Sequence, residues 1–345
     1  MQAEIQLCVI SGQFLVDFAC GVSIGPHTLP NRAFLAPMAG ITDRPMRTLA
    51  ARFGAGMVVS EMIASNALSV GNADMIRKLA KVGDLPHVVQ LAGCESEWMR
   101  RGAEIAHDAG ADIIDINLGC PSKRVTNGYA GSALMRVPDQ ALGLIETVVK
   151  ATPLPVTVKM RLGWDDDSLN APAIARRAVD AGVQMITVHG RTRQQFYKGS
   201  ARWNLVRAVV EAVGVPVVVN GDILGIAEAR EALEQSGAAA VMIGRGAQGR
   251  PWVVGQVGAA LAGRQVPQAP SDAVAIVREH YEGMLEDYGV SVGLRAARKH
   301  LDWYLDGFGV VLSKEERREL LNLETPGAVL ARIETVFGAD FRNAA

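Results

Sequence analysis

Eight short apolar segments recur along the chain and define its predicted strands. Each is a nearly continuous run of bulky apolar residues, which is typical of strands buried on both faces of a parallel sheet. Segments with helical spacing lie between these runs, and several of them end in glycine, a common helix stop. The predicted strands are 34–38, 57–62, 87–91, 112–117, 155–160, 184–189, 216–220 and 240–244.

Eight strand–helix units predict an α/β fold, a (β/α)8 TIM barrel, over residues 22–264. An open, doubly wound sheet has the same local pattern and remains the alternative, but the count of eight favours the barrel. In such a barrel we expect the chemistry to lie just after the carboxyl end of each strand. Residues 1–21 are an extension to which the sequence assigns no role.

The pattern changes after the barrel. Residues 265–271 are predicted to be a linker, and helical spacing without any strand signal follows it. The sequence therefore predicts a small all-α domain over residues 271–345. Its predicted helices lie near 271–288, 291–306, 314–323 and 325–338.

Composition excludes several classes of protein. Of 345 residues, 49% are hydrophobic and 21% are charged, so the chain is not mainly disordered, collagenous or coiled coil. No apolar run reaches the roughly 18 residues of a membrane helix, so we expect no membrane span. The cysteine spacings fit neither a zinc site nor a disulfide framework, which indicates a reducing cytoplasm and no metal. The cysteines are Cys8, Cys20, Cys94 and Cys120.

The formal net charge of −1 excludes binding through a bulk positive field, although a local basic stripe can still bind nucleic acid. Arg295, Arg298 and Lys299 form the best candidate stripe, on one predicted helix. A solvated helix face is the alternative interpretation. Residues 261–345 carry ten Lys or Arg and thirteen Asp or Glu, so this region is not basic overall.

Two glycine-bearing turns follow the last two predicted strands. In TIM barrels the loops at these positions often bind a phosphate, because glycines let backbone N–H groups approach the anion. An arginine there can add a bidentate contact. Tight turning alone is the alternative role for the glycines. The two turns are Asn220-Gly221-Asp222 and Gly244-Arg245-Gly246.

Other strand ends carry polar residues, or small apolar residues against which a ring can stack, and both kinds suit a planar ligand. Lys159 closes an apolar strand, where a buried ammonium needs a negative partner such as a phosphate or a reduced flavin. Gln90 offers an amide that can donate to and accept from a heterocycle. Together with the phosphate turns, this set indicates FMN. Its further members are His189 and the apolar shelf of Pro37, Met38 and Ala39.

Cys120 follows the fourth predicted strand, beside Asn117, and precedes a long glycine-rich loop, 122–136. Long loops in compact domains are usually functional, so we expect a lid here. A cysteine in this place is either an inert small residue or a reactive group. Without an evident His–Cys–Asn triad, a proton donor is favoured over a hydrolytic nucleophile.

An ordered set of motifs resembles the tRNA-dihydrouridine synthase family, above all its bacterial B-type branch. The resemblance runs from about Val22 to the C-terminus and covers both predicted domains. The motifs are APMAGITDRPMR (36–47), SEMIASNAL (60–68), INLGCPSKRVTNGYAGSALM (116–135), VKMRLGW (158–164), VHGRTRQQFYKG (188–199), VNGDI (219–223), MIGRGAQGRPW (242–252) and ARKHLDWYL (297–305).

The resemblance implies a cytoplasmic flavoenzyme that reduces a uridine in the elbow region of tRNA to 5,6-dihydrouridine. NADPH would reduce the FMN, and the target base would be flipped out of the tRNA. Hydride would pass from the flavin to uracil C6, while Cys120 protonates C5 as a general acid. The B-type branch suggests position 17, in the D-loop. We expect no protein partner.

The resemblance also assigns roles to individual residues. Asn117 would hold the uracil edge with help from Arg191. Arg295, Arg298 and Lys299 would bind tRNA. The FMN contacts would be Pro37, Met38, Ala39, Gln90, Lys159, His189, Asn220, Gly221, Asp222, Gly244 and Arg245.

Two other functions remain open from the residues alone. An FMN barrel oxidoreductase acting on a small molecule, such as a dihydropyrimidine or an enone, would share the cavity but has no use for the basic stripe. A non-catalytic RNA-binding barrel is disfavoured because Lys159, Cys120 and both phosphate turns are present.

Overall fold

The computed structural model describes residues 21–338 and, before them, the backbone of two short antiparallel strands, β1 (Val9–Ile10) and β2 (Gln13–Phe14). The predicted extension, residues 1–21, therefore lies almost entirely outside the described residues. A second hairpin follows, β3 (Ser23–Ile24) and β4 (His27–Thr28). Ile24 packs with Ile113 and Met185, residues at the starts of barrel strands, so this hairpin covers the amino-terminal end of the barrel.

The predicted strands form one sheet in which all neighbouring strands are parallel. They begin and end as the apolar runs predict to within a few residues, which confirms the α/β barrel. The strands are β5 (Ala33–Leu35), β6 (Met57–Val58), β7 (Ile63–Ala64), β8 (Val88–Ala92), β9 (Ile113–Leu118), β10 (Val156–Arg161), β11 (Met185–His189), β12 (Val217–Asn220) and β13 (Ala240–Ile243).

The second predicted strand is interrupted, and the interruption closes the barrel. In its place are two short strands: β6 pairs with β5, and β7, which begins just after the predicted end at residue 62, pairs with β8. Between these two strands, Val59 bridges to Val88, and the Ser60 N–H donates to the Val88 carbonyl at 3.0 Å. The sheet is therefore closed and has eight strand positions, one of which is occupied by the two short strands β6 and β7.

Register brings the polar strand ends side by side. Asn117 on β9 is paired with Lys159 on β10, and His189 on β11 is paired with Asn220 on β12. Because the strands are parallel, their carboxyl ends meet at one rim, where the sequence predicts the chemistry.

Helices alternate with the strands around the barrel and bury apolar faces against it. In α4, for example, Met99, Ala103 and Ala106 face the sheet. These helices are α1 (Arg44–Arg52), α2 (Ser65–Ser69), α3 (Ala73–Lys78), α4 (Ser96–Asp108), α5 (Lys123–Thr126), α6 (Pro138–Ala151), α7 (Ala171–Asp180), α8 (Arg207–Val210), α9 (Ile226–Ser236) and α10 (Val253–Leu261).

Four further helices form the helical region, in the places that the sequence predicts. They have an apolar core of their own, which includes Tyr281, Leu301 and Ile333 and also takes in Leu49 of α1. Ion pairs fix the region to the barrel, since Asp287 receives both Arg44 (2.9 Å) and Arg77 (2.5 Å). The helices are α11 (Ala273–Tyr288), α12 (Val290–Phe308), α13 (Lys314–Asn322) and α14 (Pro326–Gly338).

The segment 122–136 differs from the expected lid. It folds into α5 and a 3₁₀ helix, Gly131–Arg136, in which Leu134 and Met135 are buried. The apolar residues Ala133–Met135 explain this: burying them fixes the second half of the segment against the barrel. Within the described residues, no helix has the length and apolarity that crossing a membrane requires.

Candidate active site

A cavity of about 480 Å³ opens at the carboxyl ends of the barrel strands. This volume lies in the range of roughly 300–1,000 Å³ that is usual for cofactor and substrate sites. The structure brings Cys120, Asn117 and all the predicted FMN contacts to its wall. These contacts are Pro37, Met38, Ala39, Gln90, Lys159, His189, Asn220, Gly221, Asp222, Gly244 and Arg245.

A chain of buried side-chain hydrogen bonds crosses the cavity floor towards the cysteine. Asp115 Oδ2 accepts from Gln90 Nε2 (2.7 Å), and Gln90 Oε1 accepts from Asn117 Nδ2 (2.8 Å). Asn117 Oδ1 then accepts from the backbone N–H of Cys120 (2.9 Å). This chain fixes which way each amide points, and it leaves one N–H of Asn117 for a ligand.

The turn that carries Cys120 is held on both sides. The Cys120 carbonyl accepts from the hydroxyl (2.8 Å) and the backbone N–H (3.1 Å) of Ser132, and the Cys120 N–H donates to Asn117. Cys120 is a free cysteine and is partly exposed to the cavity. Its position beside Asn117 and across from Lys159 suits a proton donor to a bound ring.

Lys159 is a cation held in the barrel wall. Its Nζ donates to Asn220 Oδ1 at 3.0 Å, and Asn220 Nδ2 in turn donates to the Met242 carbonyl at 2.8 Å. Burial lowers the pKa of Lys159 to about 8. The ammonium therefore lacks a full counterion among these partners, and an anionic ligand would stabilise it.

His189 is a neutral imidazole. Burial and the charges of Arg161 and Lys159 lower its pKa well below the usual value. Gly221 lies directly against it, with φ at +114°, and a Cβ there would come within 2.7 Å of His189 Cδ2. The Gly221 carbonyl accepts from the Trp203 indole N–H at 2.8 Å, which fixes this turn.

Arg245 and Asp222 form the charged end of the cavity. Arg245 donates to Asp222 at 2.8 Å, and Asp222 also accepts from Arg191 at 2.6 Å and from the Ala201 N–H at 2.8 Å. Burial raises the pKa of Asp222, but these donors outweigh it and the net pKa is lowered. Asp222 thus orients Arg245, whose guanidinium remains half-exposed towards the cavity.

The structure does not bring Arg191 to the cavity, contrary to the expected contact with the uracil. Its side chain is 2% exposed, and its donors are used by Asp222 and by the Lys198 (3.1 Å) and Gly199 (2.5 Å) carbonyls. Arg191 therefore supports the loop behind the cavity.

Arg161, which the sequence did not single out, is the arginine of this region that lines the cavity, although it is 1% exposed and also donates to the Thr192 and Phe196 carbonyls (both 2.9 Å). Its guanidinium donates to the Gly119 carbonyl (2.8 Å) beside Cys120. Burial lowers its pKa to about 10. The available signal was its spacing of two residues from Lys159, which puts both side chains on the same face of β10. Tyr197, whose ring lies 5.7 Å from the Arg161 guanidinium, also lines the cavity and was missed.

The basic stripe lies on α12, in the helical region. Arg295 is exposed, whereas Arg298 and Lys299 are half-buried. The Lys299 ammonium reaches the rim of the barrel: a Cβ built on Gly40, next to cavity-lining Ala39, would lie 3.1 Å from its Nζ. The stripe and the cavity therefore adjoin.

The cavity fits a flavin mononucleotide by its own chemistry. Met38 and Pro37 offer an apolar wall, Lys159 and Arg245 offer positive charge, and the amides offer hydrogen bonds to a heterocycle. Gly244 lies against this apolar wall, since a Cβ built on it would stand 3.5 Å from Met38 Sδ, an ordinary van der Waals distance.

Comparison with known proteins gives the family. A family model described as dihydrouridine synthase matches residues 34–339. A "Probable tRNA-dihydrouridine synthase" of Rhizobium leguminosarum bv. phaseoli is 54% identical over 303 residues, covering 88% of this chain and 94% of that protein. "tRNA-dihydrouridine synthase B" of Pseudomonas aeruginosa is 46% identical over 325 residues, covering 93% and 97%.

Solved structures confirm the barrel fold. Morphinone reductase superposes with a TM-score of 0.51 at 15% identity, over 72% of this chain and 91% of its own. Histamine dehydrogenase from Rhizobium sp. 4-9 superposes with a TM-score of 0.55 at 14% identity, over 76% and 50%.

The resemblance in the sequence motifs is thereby confirmed, and the small-molecule and non-catalytic alternatives are set aside. The chain belongs to the dihydrouridine synthase family and is a flavin-dependent oxidoreductase that acts on uridine in tRNA.

Proposed function

We propose that the flavin is FMN, that NADPH reduces it, and that the target is the uridine at position 17 in the D-loop of tRNA, in the cytoplasm. One observation carries the proposal: Cys120, Lys159 and the two glycine turns line the same cavity. A mononucleotide needs a phosphate site and a ring site within a single cavity, and a base reduction needs an acid there as well.

Each group has a task that its surroundings support. Arg245, oriented by Asp222, binds the FMN phosphate together with the backbone of the Gly221 and Gly244 turns. Lys159 lies at the ring, where its charge stabilises an anionic flavin. Reduced FMN, when bound, supplies the hydride for the uracil.

Asn117 and Cys120 act on the substrate. The N–H of Asn117 that the amide chain leaves free donates to a carbonyl of the flipped uracil. Cys120 gives the proton from its thiol to C5, and the restrained turn directs the sulfur towards the ring. The Arg161 guanidinium, which holds the Gly119 carbonyl, keeps this turn against β10.

The helical region supplies the remaining contact with tRNA. Lys299 reaches the cavity rim and Arg295 and Arg298 lie on the same helix, so their charges would bind phosphates flanking the target base. The acidic excess of this region confines the contact to that stripe.

The test uses the purified full-length protein and tRNA transcribed without modifications. Mass spectrometry of the released cofactor should identify FMN, and turnover with NADPH should exceed turnover with NADH. Mapping by mass spectrometry should place dihydrouridine at position 17 and nowhere else. A product at another position would overturn the assigned site, and a released cofactor other than FMN would overturn the assigned flavin.

A further inference from the structure

A buried cluster of three side chains lies between the barrel and the helical region, outside the cavity. Asp43 directly precedes α1, His280 is on α11 and His300 is on α12. Their exposed fractions are 1%, 1% and 4%. One ligand atom from each residue lies within 4.8 Å of the other two. One carboxylate and two imidazoles, positioned by three separate helices, therefore meet at one place that is buried from solvent.

The inward-facing atoms of this cluster lack well-formed hydrogen bonds. Within the described residues, Asp43 Oδ2, His280 Nε2 and His300 Nε2 are buried with no partner at normal hydrogen-bond geometry. The Tyr288 hydroxyl approaches Asp43, and the Gly40 backbone approaches His300, without meeting that geometry. The other face of the cluster is satisfied, because Asp43 Oδ1 accepts from the Met46 N–H at 3.0 Å, as the cap of α1. Three unpaired polar atoms at one place are costly, and a native fold normally pairs such groups.

A direct ion pair does not account for the cluster. His280 Nε2 and Asp43 Oδ1 are 3.8 Å apart, which is beyond hydrogen-bond distance. Such a pair would also leave His300 Nε2 and the second Asp43 oxygen unsatisfied. A single cation between the three residues satisfies all of them together.

The orientation of His280 suits a ligand. Its Nδ1 lies 2.8 Å from the Tyr304 hydroxyl, so a proton on Nδ1 can be donated there. That tautomer leaves the lone pair on Nε2, on the side of the cluster. Metal-binding histidines commonly have this second hydrogen bond, which fixes the ring and its tautomer.

We propose that Asp43, His280 and His300 bind a divalent transition-metal ion, Zn²⁺ by its ligand chemistry, and that this ion fastens the helical region to the barrel. Two imidazoles and one carboxylate are a common zinc set, with a fourth position for water. At metal–ligand distances of about 2.0–2.2 Å the three atoms would stand about 3.4 Å apart, so separations that now extend up to 4.8 Å need to close by up to about 1.4 Å. Charged groups near the site include the buried Glu61 carboxylate, the buried Arg47 guanidinium and the Lys299 ammonium.

This ion touches no reacting atom, and the inference does not depend on the proposed substrate position or flavin. Its role is to hold α11 and α12, and with them the basic stripe, in one place beside the cavity rim. Removing it should therefore lower the stability of the interface before it changes the flavin.

The first test is the metal content of the tag-free flavoprotein by plasma mass spectrometry. We expect about one zinc per chain, a lower melting temperature after dialysis against EDTA, and recovery on adding one equivalent of Zn²⁺. A zinc content below about a tenth of an ion per chain, with no uptake and no thermal shift on adding Zn²⁺, would overturn the proposal.

Variants locate the ion. His280→Ala and His300→Ala should each lower the zinc content at least tenfold, whereas His107→Ala, on the exposed face of α4, should leave it unchanged. Because the first two variants could fail to fold, zinc X-ray absorption of the unaltered protein gives an independent answer. Nitrogen and oxygen ligands support the site, while sulfur ligands would place the ion on a cysteine and contradict it.

Discussion

Asn117 Oδ1 accepts the backbone N–H of Cys120 at 2.9 Å and that of Gly119 at 3.1 Å, so one side chain fixes the turn that carries the thiol. The same side chain donates to Gln90 on the neighbouring strand. The position of the sulfur is thus tied to the buried amide chain of the barrel floor.

Asn117→Ala should lower turnover about 10²-fold, because the thiol turn loses its anchor and a misplacement of about 1 Å has that effect. Stopped-flow kinetics of tRNA reduction measure the change. Asn117→Asp keeps the acceptor for the Cys120 N–H but loses the donor to Gln90. Its turnover should lie between that of the unaltered enzyme and that of Asn117→Ala. Asn127→Ala, exposed at the end of α5, is the matched control. Equal rates for Asn117→Ala and this control would contradict the anchoring role.

Cys120→Ala should keep its full flavin content and its rate of flavin reduction by NADPH, because the thiol acts only on the uracil. Its oxidation by tRNA should be slower by about 10²–10⁴-fold, the usual contribution of a general acid. Separate measurement of the two half-reactions distinguishes these effects. Cys94→Ala, at a cysteine outside the cavity, should behave as the unaltered enzyme. Unchanged tRNA turnover in Cys120→Ala would exclude the thiol as proton donor.

Flavin affinity should decrease as the pH rises through about 8. Burial lowers the pKa of Lys159 to that value in the protein without ligand, so the ammonium loses its proton and its attraction for an anion above it. Fluorescence titration of the apoprotein with FMN at pH values on both sides of 8 gives the midpoint. In Lys159→Met the affinity should be low and this transition absent, whereas Lys150→Met, exposed on α6, should retain it. If Lys159→Met shows the same pH midpoint in its FMN affinity, another group causes the transition and the prediction for Lys159 is contradicted.

Gly221→Ala should destabilise the fold by about 1–3 kcal/mol, because a residue with a Cβ is strained at positive φ. The added carbon would also meet His189 at 2.7 Å, so flavin content should fall as well. Thermal unfolding and the absorbance of the purified protein measure both. Gly214→Ala, where a Cβ meets nothing within 4 Å, is the control and should change neither. A fully flavinated, equally stable Gly221→Ala would show that the turn is less constrained than described.

Arg295→Ala should weaken tRNA binding and reduce the slope of log K against log salt by about 0.7–0.9, the contribution of one phosphate contact. Binding isotherms at several salt concentrations give the slope. Arg318→Ala, exposed on α13 away from the stripe, should leave the slope as it is. Equal slopes in both variants would remove the stripe from the tRNA interface.

The sequence allowed the barrel and the cavity wall to be predicted because apolar runs mark buried strands and parallel strands end at one rim. It missed the break between β6 and β7, since 57–62 is predicted as one strand although the polar Ser60 and Glu61 interrupt it, and β7 begins only at Ile63. It also selected Arg191 and passed over Arg161. Arg161 ends β10 and Arg191 lies two residues after the end of β11, and only the fold shows that the Arg191 guanidinium turns back onto Asp222 while Arg161 lines the cavity.

The Asp43–His280–His300 cluster was beyond the reach of motif spacing. His280 and His300 lie on α11 and α12, and Asp43, which precedes α1, is more than 230 residues from either along the chain, so no local pattern of ligands marks the site. Such sites depend on how helices pack against each other, which the periodicity of each helix does not specify.

The approach of Lys299 to Gly40 has a geometric consequence. Gly40 continues the backbone of the apolar wall Pro37–Ala39, and a Cβ built on it would stand 3.1 Å from the ammonium of α12. A phosphate bound by Lys299 would therefore lie within a few residues of that wall, so that one short stretch of chain separates the nucleic-acid backbone from the flavin ring.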